Sequence, residues 1–543
     1  MKGNERKIVA SVVSAMSALL VGEAYAADKL EEIVVTARQR AESVQDIPIV
    51  VTAFSEADFK KKSMLGLEDV ARFTPALNFE DFGGGFGTPV IRSAAQTQLT
   101  QVEQNVATFW DGIYVPRGWA VNAGMSGLSR IEVVKGPQSA RYGRNAFMGA
   151  INYVPRKPTN EFEAELEGTL GIDDRIDYGG YISGPIIEDR LTGLFSYNST
   201  EFDGSWDNTH PNAGVGLSKG TEDNAGGWDN ESFSLALNLR ATDTLSFNAS
   251  YYDFDFDEEN RGATQLTEFN GDTNCGSVGP FGVPRLFCGE IPSPPDKIAV
   301  DPRAYGRQAQ VEMFRVGFDW QMSDAFELTY FYGNIEGEID IASMSESDNV
   351  NCSTSLSVLF SGPGCSFQNT PLGGIDYDQH EARLNFDNGG NLTWTVGAFY
   401  SDGDDQTLFA IPYLPVLGTD QITQEPLIGD DSTLTEVTAF FAEAAYRVND
   451  QLSLSFEGRY SDEEKTSIDN TSGATFNDTF KNFIPRVSLE YALNDEQLLY
   501  ASIAKGVKAG GFSPAAVREE DRVYDEEQNW TYEVGSKNVL LDG

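Results

Sequence analysis

The sequence predicts an all-β transmembrane antiparallel barrel, with about fourteen strands present, preceded by a small α+β domain. Three observations predict it. Apolar and polar residues alternate with a period of two over segments of about ten residues through most of the chain after residue 160, the pattern of a strand with one face to lipid and one to water. The connections between these segments alternate between short and long, the first hairpin near Ile172–Ile176 being a short exception. No hydrophobic run after residue 21 is long enough for a spanning helix, and the mean hydropathy is only −0.32, as expected when lipid-facing and lumen-facing residues cancel in the average.

The first element is a targeting segment. Lys2, Arg6 and Lys7 are followed by an apolar run, Ile8–Val21, too short to span a bilayer, and then by Ala24-Tyr25-Ala26. A basic start, a short apolar stretch and a small-residue site make a secretory signal peptide over residues 1–26. A Gram-negative cell is expected, with the mature chain entering the periplasm.

The next unit covers residues 38–158. Pro48–Phe54 reads as a strand, and Ser55–Thr74 as two short helical stretches that stop at Pro75. Short strands follow at Val90–Arg92, Ala107–Val115, Ile131–Lys135 and Ala150–Val154, separated by Gly-rich loops. The unit is too polar to cross a membrane. Gly83–Phe86 is a glycine run without the Gly-Lys-Ser/Thr ending or the following helix of a phosphate cradle, and reads as an apical loop.

The third unit, residues 159–543, carries the alternation. Phe233, Leu235, Leu237 and Leu239 are interleaved with Ser234, Ala236, Asn238 and Arg240; Leu452, Leu454 and Phe456 are interleaved with Ser453, Ser455 and Glu457. Fourteen such strands fit between Glu161 and Leu541. Short turns fall near Ile187–Asp189, Ala241–Thr244, Gln321–Asp324, Asp387–Asn391, Val448–Asp450 and Leu493–Asp495. Between them lie long segments, including 203–228, 258–308, 341–375 and 402–433. One rim of short turns and one of long loops is what a membrane barrel has and a soluble sandwich does not need.

Composition limits the partners. A net charge of −44 argues against nucleic acid, because phosphate binding needs clustered Lys and Arg. The acidity is read either as a solvated surface suited to its medium or as a rim that gathers cations. The four cysteines form two pairs with equal spacing, Cys275/Cys288 and Cys352/Cys365, both in long outer segments. Two disulfides, Cys275–Cys288 and Cys352–Cys365, fit an oxidising compartment, the alternative being unpaired or cross-paired thiols. With only two histidines, His210 and His380, a zinc site of ordinary spacing is not expected, nor is a catalytic residue set or any resident cofactor.

At Gly127–Pro158, GLSRIEVVKGPQSARYGRNAFMGAINYVPRKP, the chain strongly resembles the plug domain of TonB-dependent outer-membrane receptors. Pro89–Ala94 (PVIRSA) and Val106–Arg117 (VATFWDGIYVPR) resemble it too, and Glu31–Ala37 (EEIVVTA) resembles the family's TonB box. The resemblance implies that residues 38–158 sit inside the lumen of the barrel formed by 159–543, with the box in the segment 27–37. Ile33, Val34, Val35, Thr36 and Ala37 suit strand addition to a partner's sheet edge, because this run is rich in β-branched residues. Family barrels that carry plugs have about 22 strands, so the resemblance implies a C-terminally incomplete barrel. Only four residues, Ala27–Leu30, separate the expected cleavage site from Glu31, which favours transport without a signalling domain.

The implied activity is energised import of a scarce ligand, most often a ferric siderophore or another metal chelate. Cobalamin or carbohydrate uptake by the same mechanism is an alternative, and a passive, non-energised barrel or receptor is another. The implied partners are TonB of the inner-membrane energy-transducing complex, outer-membrane lipid and the small-molecule ligand, around a monomeric, multi-pass barrel. Two plug cations that face barrel glutamates in the family correspond to Arg92 and Lys135; Glu533 and Glu490, inward-facing by alternation, are candidate partners, the alternative being plain solvation in the lumen. Lys in place of the more usual Arg at 135 loses the bidentate geometry, and Ser93 stands where the family usually has Gly. Phe86, Arg117, Trp119 and Asn122, in the loops corresponding to apical ones, are the expected ligand contacts, with packing against the wall as the alternative for Trp119.

Overall fold

The computed structural model describes residues 34–35, 42–43, 45, 47–81, 87–94, 103–121, 127–209, 224–259, 297–298, 306–344, 367–369, 373–410, 427–470, 472–494, 496–512 and 522–539. The signal segment, Ile33, Thr36, Ala37, Phe86, Asn122 and all four cysteines lie outside the described residues.

The N-terminal domain is built on a five-stranded sheet. Its order is Val50–Ser55, Leu128–Lys135, Gly149–Pro155, Val106–Trp110, Ile113–Val115, antiparallel except for the parallel pair of Val106–Trp110 with Gly149–Pro155. The run expected as one strand from Ala107 to Val115 is two, because Asp111 and Gly112 both take positive φ (49° and 85°) and close a tight hairpin. Asp-Gly is the pair that such a turn selects. The helices Glu56–Lys62 and Leu67–Arg72 cover the sheet. The first starts at Ser55, whose hydroxyl accepts from the Asp58 N–H while Asp58 accepts from the Ser55 N–H. A cap of this kind contributes about 1 kcal/mol. Phe59, Leu67 and Val70 on these helices join Phe54, Leu128 and Ile131 in the core.

The remainder is one antiparallel wall of fourteen strands, from Glu163–Leu170 to Glu527–Asn538, each paired with the next along the chain; a short segment, Phe367–Asn369, also pairs with the strand Phe326–Met344. Its burial pattern inverts that of a soluble protein. In Leu452–Asp469 the apolar Leu454, Phe456 and Tyr460 are exposed, while Ser455, Glu457, Arg459 and Ser461 between them are buried. The outer surface offers its apolar side chains to lipid, and the polar ones point inward. Several strands, such as Leu427–Arg447 and Ala474–Asn494 at 21 residues each, exceed the roughly 9–11 residues that cross a bilayer. Beyond the apolar band the outward positions turn acidic, as at Asp462 and Glu464.

The inner domain touches the wall on several sides. Trp110 stacks on Tyr153 at 5.3 Å and meets Tyr252 and Phe254 of the wall edge-on. Gly333 lets the backbones approach, since a Cβ there would lie 2.7 Å from Ile113. On other sides Ala140 packs with Ile484 and Val507, and Arg92 reaches Glu533. The wall therefore wraps the domain, which occupies the lumen. No helix among the described residues is long and apolar enough to cross a membrane.

Candidate functional site at the seam between domain and wall

The polar side chains that line the wall converge on the inner domain in four places. At the first, Arg92 Nη2 lies 2.5 Å from Glu533 Oε2, and Tyr500 donates to the other carboxylate oxygen at 3.0 Å. Arg92 and Ser93 both have positive φ (52° and 63°), so Ser93 adopts the left-handed backbone without being glycine. The guanidinium lies over Gly136, where a Cβ would sit 3.2 Å from Nη1. Lys135, one residue earlier, donates to Thr52 Oγ1 at 3.2 Å and to the Pro75 carbonyl at 3.1 Å, both within the inner domain. Burial and then the Arg92 charge push its pKa down, and Glu533 opposes them. Glu490 is half-buried and lies opposite Tyr500 in the strand register.

The second place joins Arg117 to Asp405. Arg117 Nε is 2.9 Å from both carboxylate oxygens, Nη2 bonds the same carboxylate, and Nη2 also donates to Thr407 Oγ1 at 3.1 Å. Trp119 is buried beside it, facing Gly337 of the wall at a distance that leaves no room for a Cβ without a shift. Arg117 and Trp119, expected as ligand contacts, are thus enclosed between domain and wall. The segment Gly118–Val121 forms a 3-10 turn there, and the partners that enclose it, Asp405, Thr407 and Gly337, come from far along the chain.

At the third place four charges meet in the interior. Glu103 accepts from Arg144 Nη2 at 2.8 Å and from Lys465 Nζ at 2.5 Å, and Glu463 pairs with the same two cations at 3.3 and 3.2 Å. Burial opposes ionisation of Glu103, but the Arg144 and Lys465 charges outweigh it and hold the carboxyl below its ordinary value. Next to this cluster Arg141 pairs with Glu443 and, at 3.4 Å, with Glu457.

At the fourth place the wall substitutes for a missing strand. Gln379 accepts from the Tyr114 N–H at 2.9 Å and donates to the Tyr114 carbonyl at 2.8 Å, so its side-chain amide completes the hydrogen bonding of the sheet's edge. Nearby, Asp111 accepts from Ser250 and Tyr252 at 3.0 and 2.9 Å.

A wall of alternating strands holding a small α+β domain is matched by two family models, the TonB-dependent receptor plug domain over residues 43–150 and the TonB-dependent receptor-like β-barrel over residues 294–543. The chain belongs to the TonB-dependent receptors. Members of this family are outer-membrane β-barrels. The chain is 23% identical over 172 residues to an iron-regulated outer membrane virulence protein of Vibrio cholerae, covering 29% of this chain and 26% of the relative. It is 26% identical over 201 residues to a probable TonB-dependent siderophore receptor, PirA, of Acinetobacter baumannii, covering 32% of this chain and 26% of that one. The matched region is therefore about a quarter of each curated relative's length. The ferric yersiniabactin uptake receptor FyuA of Yersinia pestis shares the fold with a TM-score of 0.67 at 16% identity, over 91% of this chain and 70% of that one.

Ahead of the plug, Val34–Val35 form a short strand paired with Glu42–Ser43, two residues on each side. That ladder is the whole of the described structure over residues 27–37. Sequence reasoning missed Glu103, Asp111, Arg141, Arg144 and Gln379, and the wall carboxylates and lysine that meet them. One signal was present: Glu457, Arg459, Ser461, Glu463 and Lys465 occupy successive inward positions of one strand, and a row of charges facing a lumen needs partners. No group of three or more His, Cys, Asp or Glu side chains that could hold a metal occurs among the described residues.

Proposed function

We propose that the complete protein imports a ferric chelate across the outer membrane of a Gram-negative bacterium, driven by TonB. The observation that carries this reading is the plug itself: a separate domain fills the lumen and meets the wall on one side through an apolar cluster around Trp110 and Trp119 and elsewhere through buried hydrogen bonds and ion pairs. Across the polar part of the seam, contacts can be exchanged for water as the plug moves. The resemblance to proteins named as iron-regulated, siderophore and ferric-yersiniabactin receptors favours a ferric chelate as cargo.

On this reading residues 1–26 direct secretion, 27–37 carry the box, 38–158 form the plug and 159–543 belong to the barrel. Ile33–Ala37 adds as a strand to TonB, and the two-residue ladder at Val34–Val35 is short enough to exchange for that partner. Arg92 with Glu533 is one closure among several, and Lys135 tunes its charge. Ligand recognition then falls to the outer loops and the plug's apical loops, those carrying Phe86 and Asn122 included.

The test deletes Ile33–Ala37 from the complete gene in the native host. Uptake of iron from chelates is expected to stop while chelate binding to whole cells persists. Undiminished uptake would overturn the energised reading in favour of a passive barrel.

A further inference from the structure

Between plug and wall lies a cavity of about 900 Å³, bounded on the wall side by strands from Leu245–Glu258 to Leu452–Asp469. Its lining is unusual for a chain whose net charge is −44, since it carries seven basic side chains against five acidic ones. Most of those cations are spoken for. Arg141 pairs with Glu443 and Glu457, Arg144 with Glu103 and Glu463, and Arg383 with Glu381 at 3.0 Å.

Arg459 differs. It is 3% exposed, makes no ion pair or hydrogen bond among the described residues, and its Nε is buried without a partner. Its guanidinium is held by the rings of Phe399 and Phe441, with centroids 5.3 and 5.6 Å away, and by Gly143 of the plug. Gly143 has φ 83°, and a Cβ there would lie 2.9 Å from Arg459 Cζ. Glu381 and Glu463 act on it only at a distance, and a buried guanidinium fixed by packing without a direct anion contact is costly to leave so.

We propose that this cavity contains an anion-binding site centred on Arg459, which takes a small carboxylate-bearing ligand. The guanidinium offers a planar fork that matches a carboxylate. The site lies inside the lumen, apart from the outer loops to which recognition of the cargo was assigned above. It goes beyond the uptake reading and does not need it, because occupancy is an equilibrium property of the folded protein.

The experiment is calorimetric titration of the full-length protein in detergent with citrate and, separately, with inorganic phosphate. Citrate is expected to bind saturably at one site, and Arg459→Gln to weaken it by at least about tenfold, the loss typical of a buried charged hydrogen bond. Arg459→Lys keeps the charge without the fork and should fall between wild type and Arg459→Gln; it serves as the test if Arg459→Gln does not fold. Deleting Ile33–Ala37 should leave citrate affinity unchanged, so failure of the uptake reading and failure of this site are separate results. Equal citrate affinity in wild type and the Arg459 variants, binding of phosphate but not citrate, or no saturable binding would overturn the proposal.

Discussion

Arg117 and Asp405 are 288 positions apart in the chain and meet across the plug–wall seam with the guanidinium Nε 2.9 Å from both carboxylate oxygens. Their side chains are only 10% and 1% exposed. Two ions withdrawn from water to this degree depend on each other. Removing one leaves the other buried and uncompensated. Asp405→Ala is therefore expected to weaken plug docking by about 3–5 kcal/mol. Hydrogen exchange of the amides from Ile113 to Ala120 should rise, and a double replacement, Arg117→Met with Asp405→Leu, should recover much of the loss. Unchanged exchange in Asp405→Ala would remove this pair from the account of the seam.

The Arg92–Glu533 pair should matter less. Its side chains are 31% and 19% exposed, so water screens the attraction. Arg92→Gln is expected to cost roughly 1 kcal/mol in plug docking. The reversed pair, Arg92→Glu with Glu533→Arg, should restore part of it. Protease accessibility of the plug, compared between Arg92→Gln and Asp405→Ala, ranks the two; a larger effect at Arg92 contradicts the ranking.

Gln379 offers a sharper test of geometry. Gln379→Glu keeps the acceptor for the Tyr114 N–H but replaces the donor to the Tyr114 carbonyl by a second acceptor. A lost buried partner costs about 1–3 kcal/mol. Infrared or exchange measurements on a labelled Tyr114 should show a weakened edge strand in Gln379→Glu and in Gln379→Leu, whereas equal protection in all three proteins would show that the amide contributes nothing.

Acid should loosen the Glu103 cluster. The Arg144 and Lys465 charges hold this carboxyl below its ordinary value against the effect of burial. A group lowered on folding contributes stability that is complete above its unfolded value, about 4.3 for Glu, and lost as the pH falls through the lower folded value. Protection of the Val106–Trp110 amides should thus be flat from neutrality to about pH 5 and decline below it. Glu103→Gln should be less protected at neutral pH and show a shallower decline. An equally steep decline in Glu103→Gln would place the acid sensitivity elsewhere.

The elements differ in how openly the sequence announces them. The wall is legible because a strand in a bilayer has one apolar and one wet face, and Leu454, Ser455, Phe456 and Glu457 print that alternation directly. The Asp-Gly turn at 111–112 is equally local, although the reading ran through it as one strand. The burial of Arg117 and Trp119 is not local. A basic and an aromatic residue in a Gly-containing loop read the same whether they face solvent or a wall, and the difference lies in Asp405, Thr407 and Gly337, far along the chain.

By itself, then, the sequence determined the alternation of the wall, the count of its strands, the mixed α+β character of the plug and the motifs that mark the family, all of which depend on near neighbours and turn chemistry. Only the tertiary structure decided which charges pair across the seam, that Gln379 serves as a surrogate strand, and that Arg459 is buried without an ion pair among the described residues. Those outcomes depend on how two units, each satisfied locally, are placed against one another. Inward-facing charge is written in the period of a strand, but the identity of its partner is set by three-dimensional register, and a Coulomb interaction depends on distance in space and on burial rather than on distance along the chain.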